Sequence, residues 1–564
     1  MTSLHRKLTM WIRVGCVLIA APFSVADAQI PGMPGSRPVM FSGEMGTYGE
    51  WYSIRGQTKR RPPATGRLFL RPTLTLYDAL SLNFDILLST EGSGARQNIN
   101  QFGLHPTWSW GKAHVGDFSD TYSDYTFSGI LVRGGAVSIN PGLFRFSALG
   151  GFAKRAVPGG ATDGAFDRYL YGGKLGIGSE AGGYVDLMFL RVRDKISSLP
   201  PPPTGQTPID TLNPAANPLR AYEVTPQENL IGGLLTNLRF LDNRLQWKTE
   251  ASVSLFTRDM RVDADTTIRL PSFVKDLYRA NVTSNVDVAV TSELLIDVDN
   301  VSVRGGYKWI GPGYNSLGVA SLFNDQQEFL LAPSFRIADW SVSLTYTRQN
   351  DNLLHQKLFT IVRNLYAANI TFRPAPIWTS NILANYVVMS NDATNDTMRI
   401  AFSNLMFGTN QILAFAPGSV VQMLSFSYIF QHAGDDVPLR SGSRNTVHST
   451  TLSASIPLST SFTLTPAVSF LFYTVGALRS QTTQTYSLAA SHRALENRLT
   501  TTLASAASFV RSSTTFRNNL SSVYQIGPMT SIGISAGMTT FRSGVFLTRE
   551  FDEFIGTLNV TQRF

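Results

Sequence analysis

The sequence predicts an all-β fold, a single transmembrane antiparallel β-barrel of about 26 strands, within a range of 24–28. Three observations predict it. The chain is 43% hydrophobic and only 15% charged, where soluble globular domains carry roughly 25% charged residues. It contains no run of the ~20 apolar residues that a spanning helix requires. Its dominant pattern is period-two alternation, sustained from about residue 39 to the C-terminus. A chain that enters lipid without helices must satisfy its backbone in a closed barrel.

The N-terminus reads as a secretory signal over residues 1–28. His5, Arg6, Lys7 and Arg13 form a basic n-region, Val14 to Phe23 an apolar h-region, and Ala26-Asp27-Ala28 an A-x-A cleavage site. Residues 29–38 are expected as a short periplasmic segment and 39–564 as the barrel, with no room for an N-terminal plug domain. Cys16 is the only cysteine and lies in the signal. The expected mature chain therefore has no disulfide, thiolate metal site or cysteine nucleophile. Cleavage removes three basic residues and one acidic residue, which lowers the net charge from +9 to +7. That is a mild basic excess, and no basic run with interleaved aromatics suggests nucleic acid as a partner.

The strands come next. Phe462, Leu464, Pro466, Val468, Phe470 and Phe472 alternate with Thr463, Thr465, Ala467 and Ser469. Trp340, Val342, Leu344 and Tyr346 alternate with Ser341, Ser343, Thr345 and Thr347. Successive strand side chains point to opposite faces, so one face is large and apolar and the other small or polar. The connections between strands alternate in length. Short turns such as Asp78-Ala79, Asn140-Pro141-Gly142 and Ala338-Asp339 hold turn-forming residues. The longer segments are 49–64, 89–101, 117–124, 157–164, 194–227, 259–277, 311–325, 350–358, 390–397, 431–444, 474–480 and 541–553. Short periplasmic turns and long external loops are the transmembrane-barrel pattern. The connection around Ser292 to Asn300 is read as a longer periplasmic turn. Trp108, Trp110, Trp309, Trp340 and Trp378 lie near strand ends, where an interfacial girdle belongs.

The last strand places Phe554, Leu558, Val560 and Phe564 on one face, with Gln562 breaking the pattern. It resembles the C-terminal signal of outer-membrane barrels, which implies recognition of Phe564, Val560 and Leu558 by the barrel-assembly machinery. Two further stretches are FGLHPTWSWGKAHVGDFSDTYSDYTFSG, followed by NPGLFRFSALGGFAKRAV, and YKWIGPGYNSLG, followed by Phe323-Asn324-Asp325. They resemble segments of a recurring class of large, porin-like Gram-negative outer-membrane barrels without a plug domain. The resemblance implies the fold and an outer-membrane location, and no particular activity.

No constellation points to an enzyme or a cofactor. The histidines form no metal-binding motif. His105 and His114, nine apart in one hairpin near Asp117 and Asp120, are read as hydrogen-bonded rim residues. The Asp435-Asp436 pair and Asp392 with Asp396 are read as solvated loop carboxylates. Gly134-Gly135 and Gly150-Gly151 are read as relief of crowding within strands.

Charge on the small-residue face is more informative. With the apolar face toward lipid, Arg67, Arg71, Arg145, Lys248, Arg304, Lys308, Arg373, Arg517 and Arg563 fall in the lumen, with Asp85 and Glu250 as the acidic members. Each cation would cost ~2–4 kcal/mol if it faced lipid at the midplane. The expected function is a channel for polar, preferentially anionic, solutes, with no catalytic role. The alternative is a membrane scaffold, or a partner-gated export or surface-assembly component. The expected surroundings are outer-membrane lipid and lipopolysaccharide. An unplugged barrel of this size would leak, so either loops 194–227 and 259–277 fold inward or a periplasmic or lumen-filling protein partner does the filling.

Overall fold

The computed structural model describes residues 38–91, 99–158, 164–200, 224–265, 271–416, 422–476, 480–544 and 550–564. The expected signal and nearly all of the 29–38 segment lie outside these residues. Among the described residues the alternating sequence forms 26 strands. The first nine are β1 (Val39–Arg55), β2 (Ala64–Leu76), β3 (Leu80–Ser89), β4 (Gln101–Trp108), β5 (Gly111–Phe118), β6 (Val132–Ile139), β7 (Phe144–Lys154), β8 (Asp167–Ser179) and β9 (Gly183–Lys195). Next come β10 (Glu228–Phe240), β11 (Leu245–Thr257), β12 (Ser284–Val298), β13 (Val301–Ile310), β14 (Gln326–Ile337), β15 (Trp340–Asn350), β16 (Ile361–Ala375) and β17 (Trp378–Asn391). The last are β18 (Ala401–Phe415), β19 (Gln422–Asp435), β20 (Asn445–Pro457), β21 (Phe462–Val475), β22 (Gln481–Ala494), β23 (Leu499–Val510), β24 (Ser513–Gln525), β25 (Thr530–Ser543) and β26 (Phe551–Arg563).

Each strand pairs antiparallel with its sequence neighbours, and β1 pairs with β26 from Glu44↔Arg563 to Arg55↔Asp552, which closes the barrel. With 26 strands spaced ~4.8 Å and tilted ~40°, the wall is about 160 Å around. The seam ends in a clamp. Gly43 and Phe564 exchange two backbone hydrogen bonds of 2.9 and 3.1 Å. The Phe564 ring stacks on Phe41 with centroids 4.9 Å apart. Val560 and Leu558 sit on the outer face of β26 beside Ile532 and Ile534 of β25.

The outer face explains the composition. Leu187, Val286, Ile296, Leu331, Phe407, Phe426, Leu452, Leu488, Leu520 and Ile534 all point outward and are exposed. An apolar belt of this extent is far larger than the patches a soluble monomer tolerates, and lipid removes the penalty. Trp247, Trp340 and Trp378 stand outward at the short-turn end, as interfacial aromatics do. Outward ion pairs, among them Arg133 with Asp117, Arg191 with Glu228 and Arg542 with Asp552, lie near the ends of their strands on the long-loop side.

Two expectations about connections need correction. The turn near Ser292 is not long: Leu294, Ile296 and Val298 continue the apolar face, and only Asp299 and Asn300 separate β12 from β13. Asp299 adopts a φ of 51°, a left-handed conformation that Asp tolerates in tight turns. On the other side, β23 and β24 are joined by Arg511 and Ser512 alone, so one external connection is as short as a periplasmic turn.

Two outcomes test this architecture. Protease added to intact cells should cut within 56–63 and 436–444 and spare the Asn140-Pro141-Gly142 turn; the reverse pattern overturns the orientation. Deleting Phe564 removes both clamp hydrogen bonds and the ring stack, so most of the heat-modifiable, folded barrel should be lost from outer membranes. Wild-type levels of the folded band would show that the clamp is dispensable.

Candidate functional site: the barrel lumen and its inserted loops

Register identifies the two faces. Arg145, Gly176, Asp186, Leu235, Glu250, Thr291, Lys308 and Glu328 are successive partners across β7 to β14 and so share one face. On that face the Glu250 carboxylate accepts backbone N–H bonds from Asp124 (3.2 Å) and Tyr125 (2.9 Å) of the β5–β6 connection. This is the lumen, and loop 119–131 is folded into it.

A second connection, 311–325 between β13 and β14, joins it there. Ser128 and Val319 form a parallel bridge. Ser128 N–H donates to the Gly318 carbonyl, and Ala320 N–H to the Ser128 carbonyl. The Tyr314 hydroxyl donates to the Tyr125 carbonyl at 3.2 Å, and Asn229 of β10 accepts from Leu317 N–H at 2.9 Å. Phe118, Tyr122 and Phe127 pack on lumen-facing Leu149, Leu170, Met188, Leu190, Val192, Ile231 and Leu235, and Leu317 completes the contact. Two glycines make the fit. A Cβ at Gly233 would meet Ser252 Oγ at 2.8 Å and Thr126 Oγ1 at 3.0 Å. A Cβ at Gly318 would collide with Leu190 and the Thr126 carbonyl.

Asp325 ends the second loop and ties it to the external connection 351–360. Its carboxylate accepts N–H bonds from Asn352 (3.1 Å) and Leu353 (2.9 Å) and pairs with Lys357. Burial alone would raise its pKa, but Lys357 and the two backbone donors outweigh burial and hold it below the usual carboxylate value.

This plug is built from two loops that the sequence reading did not single out. The expected loops were 194–227 and 259–277. Residues 201–223 and 266–270 lie outside the described residues. The described remainder of the second expected loop goes to the outside of the barrel, where Val274, Leu277, Tyr278 and Ala280 cover outward-facing Phe189, Leu230 and Leu255. Length drew attention to 259–277 and passed over 119–131 and 311–325. The better signal is composition: Tyr122, Tyr125 and Phe127, crowded into a short polar connection, need a surface on which to bury.

The expected lumen cations divide into two groups. Arg67 pairs with Glu91 at 2.8 Å. Arg71 pairs with Asp85 (3.0 Å) and Glu44 (3.3 Å). Arg304 pairs with Glu293 at 2.7 Å. Arg145 is 5% exposed, bonded to Asp186 and Glu180 and lying 4.0 Å over the Tyr184 ring. It is a buried cross-brace and presents no free charge to the lumen. Lys248, Lys308 and Arg517 face the lumen, and among the described residues no carboxylate lies within ion-pair distance of them. Arg373 sits exposed beside the register shift that ends β16. Arg563 lies at the seam, opposite Glu44. The acidic lumen residues missed by the sequence reading include Asp186, Asp194 and Glu293, each the partner of an arginine. His105 and His114 are likewise on the lumen face and not at the rim, and they touch.

From β15 to β26 the inner wall has a different character. It presents Ser341, Ser343, Thr345, Asn369, Asn381, Asn385, Asn410, Ser427, Thr451, Ser469, Thr485, Ser487, Thr502, Asn519, Ser535 and Thr557. Among the described residues no inserted loop covers this side, and these side chains are only part-buried or exposed. The lumen thus has a filled, charge-braced side and an open side lined by hydroxyls and amides.

No family model and no curated protein matches the chain. Among solved structures, it is similar to the translocation pore of the P pilus usher PapC, with 9% identity, a TM-score of 0.35 and coverage of 93% of this chain and 99% of that one. It is also similar to Acinetobacter baumannii OccAB2, with 12% identity, a TM-score of 0.30 and coverage of 60% and 93%. The outer-membrane channel DcaP of Acinetobacter baumannii aligns with 10% identity, a TM-score of 0.30 and coverage of 50% and 88%. Scores this low carry no argument about function, and the assignment of this chain rests on its own geometry.

The plug makes a testable claim. Glu250→Ala strands two N–H groups of loop 119–131, at a cost of about 1–3 kcal/mol each. A Thr126→Cys reporter, fully buried in the parent chain, should then react at least about tenfold faster with a water-soluble thiol reagent. An unchanged rate would show that Glu250 does not hold the loop.

Proposed function

We propose that the chain is an outer-membrane conduit for polar solutes, which pass along the open side of the lumen. The observation that carries this reading is the inner wall of β15–β26. It is lined by hydroxyls and amides that exchange hydrogen bonds with water or a hydrated solute at little desolvation cost. A structural wall facing a permanent protein partner would instead be expected to carry apolar or tightly paired residues, as the inner wall of β7–β10 does.

Anion preference enters this proposal in reduced form. Arg67, Arg71, Arg145 and Arg304 are neutralised by neighbouring carboxylates. The bias falls to Lys248, Lys308 and Arg517. Their fields are screened within about 8–10 Å at physiological salt, so a wide lumen gives only mild selectivity.

Purified barrel in planar bilayers should give open-state currents with a weak anion preference. Replacing Lys248, Lys308 and Arg517 together by Gln should move the reversal potential toward cations, most visibly at low salt. Conductance with an unmoved reversal potential would remove the anion preference and leave the conduit. No conductance, with a protein that co-purifies, would overturn the conduit in favour of a scaffold or partner-gated component.

A further inference from the structure

His105 and His114 stand apart from the plug and from the ion-paired wall. In the register set by Leu104↔Val115 and Thr107↔Lys112, they are directly opposed on β4 and β5. His114 lies in the same lumen-facing row as Ala136, Leu149, Gly172, Leu190 and Ile231. Their Nδ1 atoms are 2.9 Å apart. The rings are held in place: His114 stacks on Phe118 with centroids 5.3 Å apart, and His105 meets His114 edge-on at 4.9 Å. Gly103 leaves the space that the His105 ring needs, since a Cβ there would fall 2.5 Å from His105 Nε2.

We propose that His105 and His114 form a two-nitrogen station on the lumen wall for a divalent transition-metal ion of the Cu(II) or Ni(II) type. The geometry selects the ion. With metal–imidazole bonds of about 2.0–2.1 Å, nitrogens 2.9 Å apart subtend about 90° at the metal. That angle is the cis angle of a tetragonal site, which suits Cu(II) or Ni(II), and is narrower than the tetrahedral angle of Zn(II). Lumen water fills the remaining positions. Asp85 is opposite Gly103 and so shares this face, but it is held by Arg71 at 3.0 Å and adds only its field. Lys112, the nearest cation on β5, is neutralised by Asp120 at 3.0 Å.

The proton balance closes. In the neutral pair, one Nδ1–H donates to the other Nδ1. Binding needs both Nδ1 lone pairs, so with His105 as the donor its Nδ1 proton moves through lumen water to His105 Nε2. His114, the acceptor of the pair, already carries its proton on Nε2, which is buried with no hydrogen-bond partner, so that proton stays where it is. Both imidazoles remain neutral, no redox change occurs, and two lone pairs form the two metal–nitrogen bonds.

The test uses the full-length barrel in detergent, made without a polyhistidine tag and titrated with Cu(II) at neutral pH. Wild type should bind one equivalent, with an electron paramagnetic resonance spectrum showing two imidazole nitrogens. His105→Asn and His114→Asn should each weaken binding at least about tenfold. The pair His432→Asn and His448→Asn, on the outer face, should leave it unchanged, and Zn(II) should bind more weakly than Cu(II). The proposal is overturned by a wild-type spectrum without two nitrogens, by single variants that bind like wild type, or by no binding up to millimolar Cu(II). The last result would make the pair a hydrogen-bonded wall element. If an Asn variant fails to give the heat-modifiable folded band, the nitrogen count on wild type still decides.

Discussion

Everything in this molecule depends on the rule that a peptide group in hydrocarbon must find its hydrogen-bond partner within the protein. A sheet meets that rule only when its first and last strands meet. Here the meeting is a register of twelve residue pairs between β1 and β26, finished by the reciprocal bonds of Gly43 and Phe564. Closure frees the outer face to be apolar and separates an inside from an outside. Side-chain alternation then decides what each compartment sees.

Alternation is why so much of the fold is legible in the sequence. Phe462 to Phe472 and Trp340 to Tyr346 announce their strands because one face meets lipid and the other meets water. The reading fails where that contrast disappears. On β7 to β10, Leu149, Leu170, Leu190, Val192 and Ile231 are apolar on the inward face too, because the inserted loops cover them. A rule that assigns the apolar face to lipid has nothing to say about a strand that is apolar on both faces. For the same reason length pointed to 259–277, whose described part lies outside the barrel, and passed over the aromatic-rich loops that fill the lumen.

Charge shows a similar limit. The direction in which Arg71, Arg145 and Arg304 point follows from their position in the alternation. Their partners do not, because Glu44 and Glu293 lie on the adjacent strand and Asp186 on the next but one, across Gly176, at distances in sequence that only the register reveals. A lumen that looks cationic when basic residues are read along the chain is largely neutral once cross-strand neighbours are paired. His105 and His114 belong to the same class: nine residues apart in sequence, they become contacts only through the pairing of β4 with β5.

The plug also constrains the order in which the molecule can be made. The Tyr314–Tyr125 bond joins residues 189 apart in sequence, and the strands between them, β6 to β13, form the wall on which both loops rest. Whichever end of the chain is laid down first, that wall must stand before the loops can lock. Until then, the inner faces of β7 to β10 are greasy surfaces looking into an unfinished cavity. Closing a contact over so long a stretch of chain is slow, and a half-built sheet with apolar residues on both faces is prone to stick to its neighbours. The inserted loops therefore give assembly an end point, because the inward grease is hidden only when both halves of the wall are in place.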